Sequence, residues 1–310
     1  MLVEVNHQQY FDIFKDERNP FLKKNFILLN SSKVDQVLFL VNNIDRPSIG
    51  LILGQKNEVL LSPFSAPFGG FNYLHENIYI SEIEKFVIDL KEFFFLKKGS
   101  LISITFPPSI YGKTFNSKII NSLLREKFEL EIPDITNLVE LINFDYKFKQ
   151  RNSREYYNQA LKNELKFKQL FGFEEKINAF AIIQENRKNF NRPIYMTFDD
   201  ILKNDNIWPV DFFGVFDIKG DMFASAIFYR SHKEIVYAAF WGDKEDSRQY
   251  RPMDFLIFNL LSHYKKLDFK YIDLGISTER NGIPNEGLLR FKETHESISE
   301  LRFNIQLKRL

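Results

Sequence analysis

At 310 residues, 44% of them hydrophobic and 27% charged, the chain is long enough for two soluble globular domains and carries the apolar supply for both cores. Its formal net charge of +1 argues against a broad DNA- or tRNA-binding face, and the lack of Cys excludes disulfides, thiolate metal ligands and a thiol nucleophile. The five His lie far apart without metal-ligand spacing, no apolar run reaches membrane-span length, and no signal-peptide pattern opens the chain, so no metal, no integral membrane segment and a cytoplasmic location are expected.

The first predicted element is a short helix over 8–15. Three strand-like runs follow, 37–41, 49–53 and 59–61, separated by short polar or Gly-containing turns as in a meander. After the loop "SPFSAPFGGFNYLHENIYI" a helix is expected from Ser81, which pairs with Glu84 as a capping box; Ile83, Phe86, Val87, Leu90 and Phe94 fall on one face. The strand "LISITF" ends at Pro107-Pro108, a second helix carries Ile119, Ile120, Leu123 and Leu124, and the run 138–144 suits strand or helix. The polar stretch "DYKFKQRNSREYY" marks a boundary, giving expected domains of 1–147 and 148–310.

Past that boundary, helices are predicted over 153–170 and 177–190, and strands over 212–217, 223–229 and 235–241. Pro252 suits a first helical position, with Met253, Leu256, Ile257, Leu260, Leu261 and Tyr264 at helical spacing behind it. The strand "KYIDLG", a polar loop, a short helix capped by Asn285 and a strand around 301–305 complete the chain. Each half reads meander, helix, strand, helix, strand. That order predicts an α/β class with mixed sheets, and two such units in tandem with a ligand cleft between them.

Several segments are candidates for a site, each with a plainer reading beside it. The prolines and paired glycines of "SPFSAPFGGF" fix an irregular loop. Phe68 and Phe71 would face a sugar or apolar group with Gly69 and Gly70 close to the ligand, or the two rings plug the core. On the helix bearing "ENR", Asn186 and Arg187 follow Ile183, and an inward Arg187 needs an anion, either a substrate phosphate or carboxylate or an internal acid. Trp241-Gly242-Asp243 ends a meander strand, and Asp243 is either a general base for an attacking amine or a solvated turn acid, the plainer reading for Glu245 and Asp246. No G-x-S-x-G elbow and no Ca²⁺-loop pattern is present.

Four segments together, "SPFSAPFGGF", "IIQENRKNFNRPIYMT", "VYAAFWGD" and "YIDLGISTERNGIPNEGLLRFKE", give a resemblance to the duplicated GNAT acyltransferase fold and to its FemAB-like branch. The chain is most similar to the tandem-GNAT N-acyltransferase-like proteins associated with cell-surface polysaccharide synthesis in bacteria such as Bacteroidetes. The resemblance implies two tandem GNAT-like domains and transfer of an acyl or aminoacyl group from acyl-CoA or aminoacyl-tRNA. The acceptor it implies is an amine of an activated sugar or cell-envelope precursor, attacked without a covalent enzyme intermediate. Carried over from the Fem-type enzymes, Lys292 would stabilise the oxyanion and Asp243 or Glu279 would take the proton. Ser277, Thr278 and Asn285 would orient substrate, with Asn186, Arg187 and Trp241 also on it.

The chain departs from the acetyl-CoA pattern. Where an [RQ]-x-x-G-x-[GA] loop would hold the pyrophosphate, it reads "WGDKEDSRQYRPMDFL", with Arg248 and Arg251 able to meet phosphate but no Gly, and with Pro252 lacking an amide. A non-catalytic GNAT-derived module that binds a glycan precursor or a partner enzyme is the alternative reading.

Overall fold

The computed structural model describes residues 2–15 and 18–309. Short apolar runs become strands wherever side chains alternate between two covered faces. In chain order the first unit builds β1 (Val3–Val5), α1 (His7–Ile13), α2 (Lys24–Asn30), β2 (Gln36–Val41), β3 (Ile49–Lys56), β4 (Val59–Ser62) and β5 (Phe71–Tyr73). It continues with α3 (Ile80–Leu96), β6 (Leu101–Thr105), α4 (Thr114–Arg125) and β7 (Glu129–Leu130). The chain goes on through β8 (Asp134–Glu140), α5 (Arg151–Lys162), β9 (Lys166–Leu170), α6 (Phe173–Asn189), α7 (Phe198–Asn204), β10 (Val210–Phe216), β11 (Met222–Tyr229) and β12 (Ile235–Asp243). It ends with α8 (Pro252–Lys266), β13 (Tyr271–Ile276), α9 (Glu286–Thr294), β14 (Ile298–Arg302) and β15 (Asn304–Lys308).

The first unit holds the chain up to Ile135, Glu279–Ile283 and the residues from Leu301 onward. Its sheet runs β1-β2-β3-β4-β6-β15-β7, with β5 added to β3 and β4 parallel to β6. Alternation sorts the side chains: Leu38, Leu40, Leu51 and Leu53 join the core of α3 and α4, while Phe39, Val41 and Ile52 pack with Tyr10 and Phe14 of the α1 segment. The second unit, Thr136–Thr278 and Pro284–Glu300, carries the sheet β14-β8-β13-β12-β11-β10-β9. On β11, Ala224, Ala226 and Phe228 join Ile257, Leu260 and Tyr264 of α8, while Ser225, pointing the other way, donates to the Ala179 carbonyl of α6 at 2.7 Å. Both are mixed α/β sheets. No helix of the described residues is long and apolar enough to cross a membrane.

The structure departs from the sequence expectations at several elements. The helix expected over 153–170 stops at Lys162; Glu164 takes φ 54° and β9 follows, its Phe167 stacked on Phe213. The alternation of Lys166, Phe167 and Lys168 is the strand signal that outweighed helix propensity. Helix α7 was not foreseen; Thr197 caps it in a box with Asp200. Conversely, Ser81 is no cap: α3 starts at Ile80 from Tyr79, and Glu84 pairs with Arg125. The boundary expected at 147/148 falls earlier, because β8 already pairs with β13 of the second sheet. The last strand returns to the first sheet, where β15 lies between β6 and β7.

Ile305 of β15 is fully buried in the first unit's core. Ile305→Ala should therefore cost about 2–5 kcal/mol in urea unfolding, the range for truncating a packed Leu or Ile. A loss within about 0.5 kcal/mol, as for a surface site, would remove β15 from that core.

Candidate functional site

The site begins where two parallel strands part. β12 and β13 pair only over Ile235–Tyr237 and Tyr271–Asp273. Past that point β12 carries an irregularity opposite Ile227 and Phe228, and β13 turns at Gly275, whose φ of 70° is left-handed and costs a glycine little. Along the parted end of β12 lies a cavity of about 410 Å³, wholly within the second unit.

The cavity's walls come from four elements. The C-terminal part of α6 supplies Asn186 and Arg187, with Phe190 and Arg192 just beyond it; β12 supplies Trp241, Gly242 and Asp243. The turn after β12 brings Arg248 and Arg251, and the start of α8 adds Pro252, Met253 and Asp254. From α9 and its cap come Asn285, Gly287, Leu288 and Phe291. Phe291 meets Trp241 edge to face at 5.9 Å. Asn285 caps α9 as the sequence suggested, accepting from the Leu288 amide at 3.0 Å.

Four arginines line the cavity against two acids, and both acids are engaged. Asp243 accepts from Asn186 Nδ2 at 2.7 Å and from Arg248 Nε at 3.3 Å. Burial pushes its carboxyl above the usual value, with Arg248 opposing. Asp254 meets His295 at 3.0 Å. Arg251 lies over the Tyr156 ring at 3.8 Å. Arg187 is different. Its Nε is buried with no hydrogen-bond partner among the described residues, and burial followed by the charge of Arg192 pulls the guanidinium below its ordinary value. A half-buried cation held beside another cation favours an anionic ligand.

Lys292 is not where the resemblance put it. Its side chain does not line this cavity; it runs beneath α9, 1% exposed, and Nζ donates to the carbonyls of Gly275 at 2.9 Å and Ile276 at 2.8 Å. The left-handed turn at Gly275 presents two successive carbonyls to one ammonium, where a regular strand would send them to opposite sides. Burial lowers the Lys292 pKa to about 7, with Asp273 opposing and Arg187 assisting the fall.

Other candidates also resolve to structure. Phe68 and Phe71 are buried in the first unit, Phe68 edge-on to Phe21 and Phe71 among Phe86, Phe106 and Phe115, so both rings pack into its interior. A Cβ on Gly69 would lie 2.6 Å from Ser62 Oγ, and the Gly70 amide donates to that hydroxyl oxygen at 3.1 Å, so both glycines serve close loop packing. Ser277 is buried and donates to Asn137 of β8; Thr278 forms a bridge with Pro284. Glu279 is exposed, belongs to the first unit and does not line the cavity. Of the sequence candidates the cavity therefore gathers Asn186, Arg187, Trp241, Asp243 and Asn285. Sequence reasoning missed Phe190, Arg192 and Asp254; the basic spacing of Arg187 and Arg192 at a helix end was the available signal for one of them.

Comparison with solved structures decides the architecture. FemX superposes with a TM-score of 0.67 at 10% identity, covering 98% of this chain and 96% of that one. L-PGS from Bacillus licheniformis gives 0.60 at 14% identity over 99% and 93%. The fold is that of two tandem GNAT-like domains. A tandem GNAT protein from the clavulanic acid biosynthesis pathway matches at 0.55 and 8% identity over 99% and 98%. The likeness is to the GNAT/FemAB-like group broadly, and at these identities it speaks to fold. No protein-family model and no curated protein sequence matches the chain.

The tandem GNAT-like fold thus carries a lysine whose charged form is disfavoured by burial. Between pH about 7 and the ordinary lysine value of 10.5 the unfolded chain binds the extra proton, so this group adds stability as pH rises through that window and withdraws it as pH falls toward 7. Urea midpoints of the parent should rise relative to Lys292→Met between pH 7 and 10. A difference that stays flat with pH would contradict the burial-lowered Lys292 pKa.

Proposed function

We propose that the second unit is an N-acyltransferase site, moving an acyl or aminoacyl group to an amine of an activated sugar or cell-envelope precursor by direct attack. The single observation that carries the reading is the arginine-rich cavity along the parted end of β12, with Arg187 Nε unpartnered at its wall. Arg187 would clamp the anionic group of the donor. Asp243, at the same wall and pushed above the usual carboxylate value, would take the proton that the amine nitrogen loses as it bonds to the carbonyl carbon. Asn186 and Arg248 hold that carboxylate in place. Lys292 then positions β13 beneath the site and leaves the oxyanion role.

The donor is acyl-CoA or aminoacyl-tRNA. Pro252 gives α8 no first amide, and Asp254 puts a carboxylate in that helix's first turn. Both features work against a pyrophosphate cradle there and favour an anion reached by the arginines. The alternative, a non-catalytic protein that binds a glycan precursor or partner, draws on one fact: the lysine expected to do chemistry is engaged with backbone carbonyls.

Calorimetry against acetyl-CoA, longer acyl-CoAs, charged tRNA and nucleotide sugars separates the readings. The enzyme reading expects a donor to bind, and Arg187→Ala to weaken it by about 10–100-fold, the worth of a charge-assisted hydrogen bond of ~1.5–3 kcal/mol. Asp243→Asn should lower turnover by about 10²–10⁴-fold with the donor affinity kept. Binding of a nucleotide sugar alone, with no donor bound, would overturn it in favour of the binding protein.

A further inference from the structure

A buried pair that the scheme above leaves idle joins α8 to α9 at the cavity wall. His295 is the C-terminal cap of α9, and its Nε2 lies 3.0 Å from Oδ1 of Asp254, in the first turn of α8. The His295 side chain is 3% exposed and that of Asp254 10%. The other ring nitrogen, Nδ1, lies 2.6 Å from the Phe291 carbonyl oxygen. A carbonyl only accepts, so Nδ1 carries the proton of that contact. The Thr294 hydroxyl, 3.3 Å from Nδ1, already donates to the same carbonyl at 2.9 Å and offers the ring only a lone pair.

With its one proton on Nδ1, a neutral imidazole would turn a lone pair toward the carboxylate oxygen of Asp254. Two lone pairs repel at hydrogen-bond distance, so a proton must sit between them, on the ring or on the carboxyl. Phe148 packs edge-on to the imidazole at 5.0 Å and Phe291 lies 4.3 Å from it, which keeps water from supplying a substitute partner. Glu296, next to His295 in the chain, pairs with Lys149, and Arg251 lines the cavity with Asp254. Asp254, unlike His295, also lines the cavity.

We propose that the Asp254–His295 pair holds one proton between its members and passes it, through Asp254, to the atom that leaves the acyl group. This deepens the acyltransferase reading and rests on it. As the amine nitrogen bonds to the carbonyl carbon, the bond from that carbon to sulfur or oxygen breaks and its electron pair goes to the leaving atom. That atom takes the pair's proton, the amine proton goes to Asp243, and solvent exchange resets both groups. Asp254 is the donor; His295 is a positioning residue that stores the proton and aims the carboxyl. An oxygen leaving group, a stronger base than a thiolate, gains more from the device.

Two measurements test this separately. In isotopically labelled protein, with the His295 signals assigned by their loss in His295→Gln, nitrogen and carboxyl NMR should show either two ring N–H protons on His295 or a protonated Asp254. One ring N–H beside an ionised Asp254 would overturn the shared proton, whatever the reaction. In the second, transfer is compared from an alkyl ester and an aryl ester of one acyl group. Asp254→Asn should cut transfer from the alkyl ester by about 10²–10⁴-fold, with a clearly smaller loss from the aryl ester. His295→Gln should fall between parent and Asp254→Asn. Equal losses with both esters would overturn the donor role.

Discussion

The second unit's cavity depends on one backbone event: β12 and β13 stop pairing after Tyr237 and Asp273. A parallel pair that separates leaves amides and carbonyls to be satisfied elsewhere, and an unpaired buried carbonyl is costly. Lys292 meets that demand at Gly275 and Ile276. It is the one residue of α9 that is fully buried. The helix is therefore fastened by a polar anchor, and its apolar residues Leu288 and Phe291 are left half-buried to face the cavity.

Charge then decides what such a cavity can hold. Asp243 and Asp254 are engaged by Asn186 with Arg248 and by His295, so neither neutralises the guanidinium of Arg187. The resulting site has a cationic wall from α6 and the turn after β12, and an apolar wall of Trp241, Met253, Leu288 and Phe291. A ligand with an anionic group and a less polar part complements both walls. The first unit shares the sheet-and-helix plan but spends its irregular loop differently, closing Phe68 and Phe71 into its own core.

Much of this was legible from local pattern. Alternation located the meander strands of both units, Pro252 marked the first turn of α8, and Asn285 marked the cap of α9. Arg187 stood out because an inward arginine beside apolar periodicity needs an anion, and Asp243 because it ends a meander strand as a candidate base. What stayed hidden depended on contacts distant in sequence. Nothing local says that a Phe beside paired glycines turns inward, or that a lysine one position past Phe291 turns under its helix. The latter hinges on the left-handed turn of Gly275, 17 residues earlier. Likewise Asp254 reads as a helix-start acid until His295 is folded against it.

The central claim is that ligand occupies the cavity beside the parted end of β12. Hydrogen exchange followed by mass spectrometry, with and without the acyl donor that calorimetry selects, tests it most directly. The account predicts slowed exchange in the peptides covering 186–192, 238–254 and 285–291 together. Slowing confined to the loop at 62–71, with those three unchanged, would contradict it.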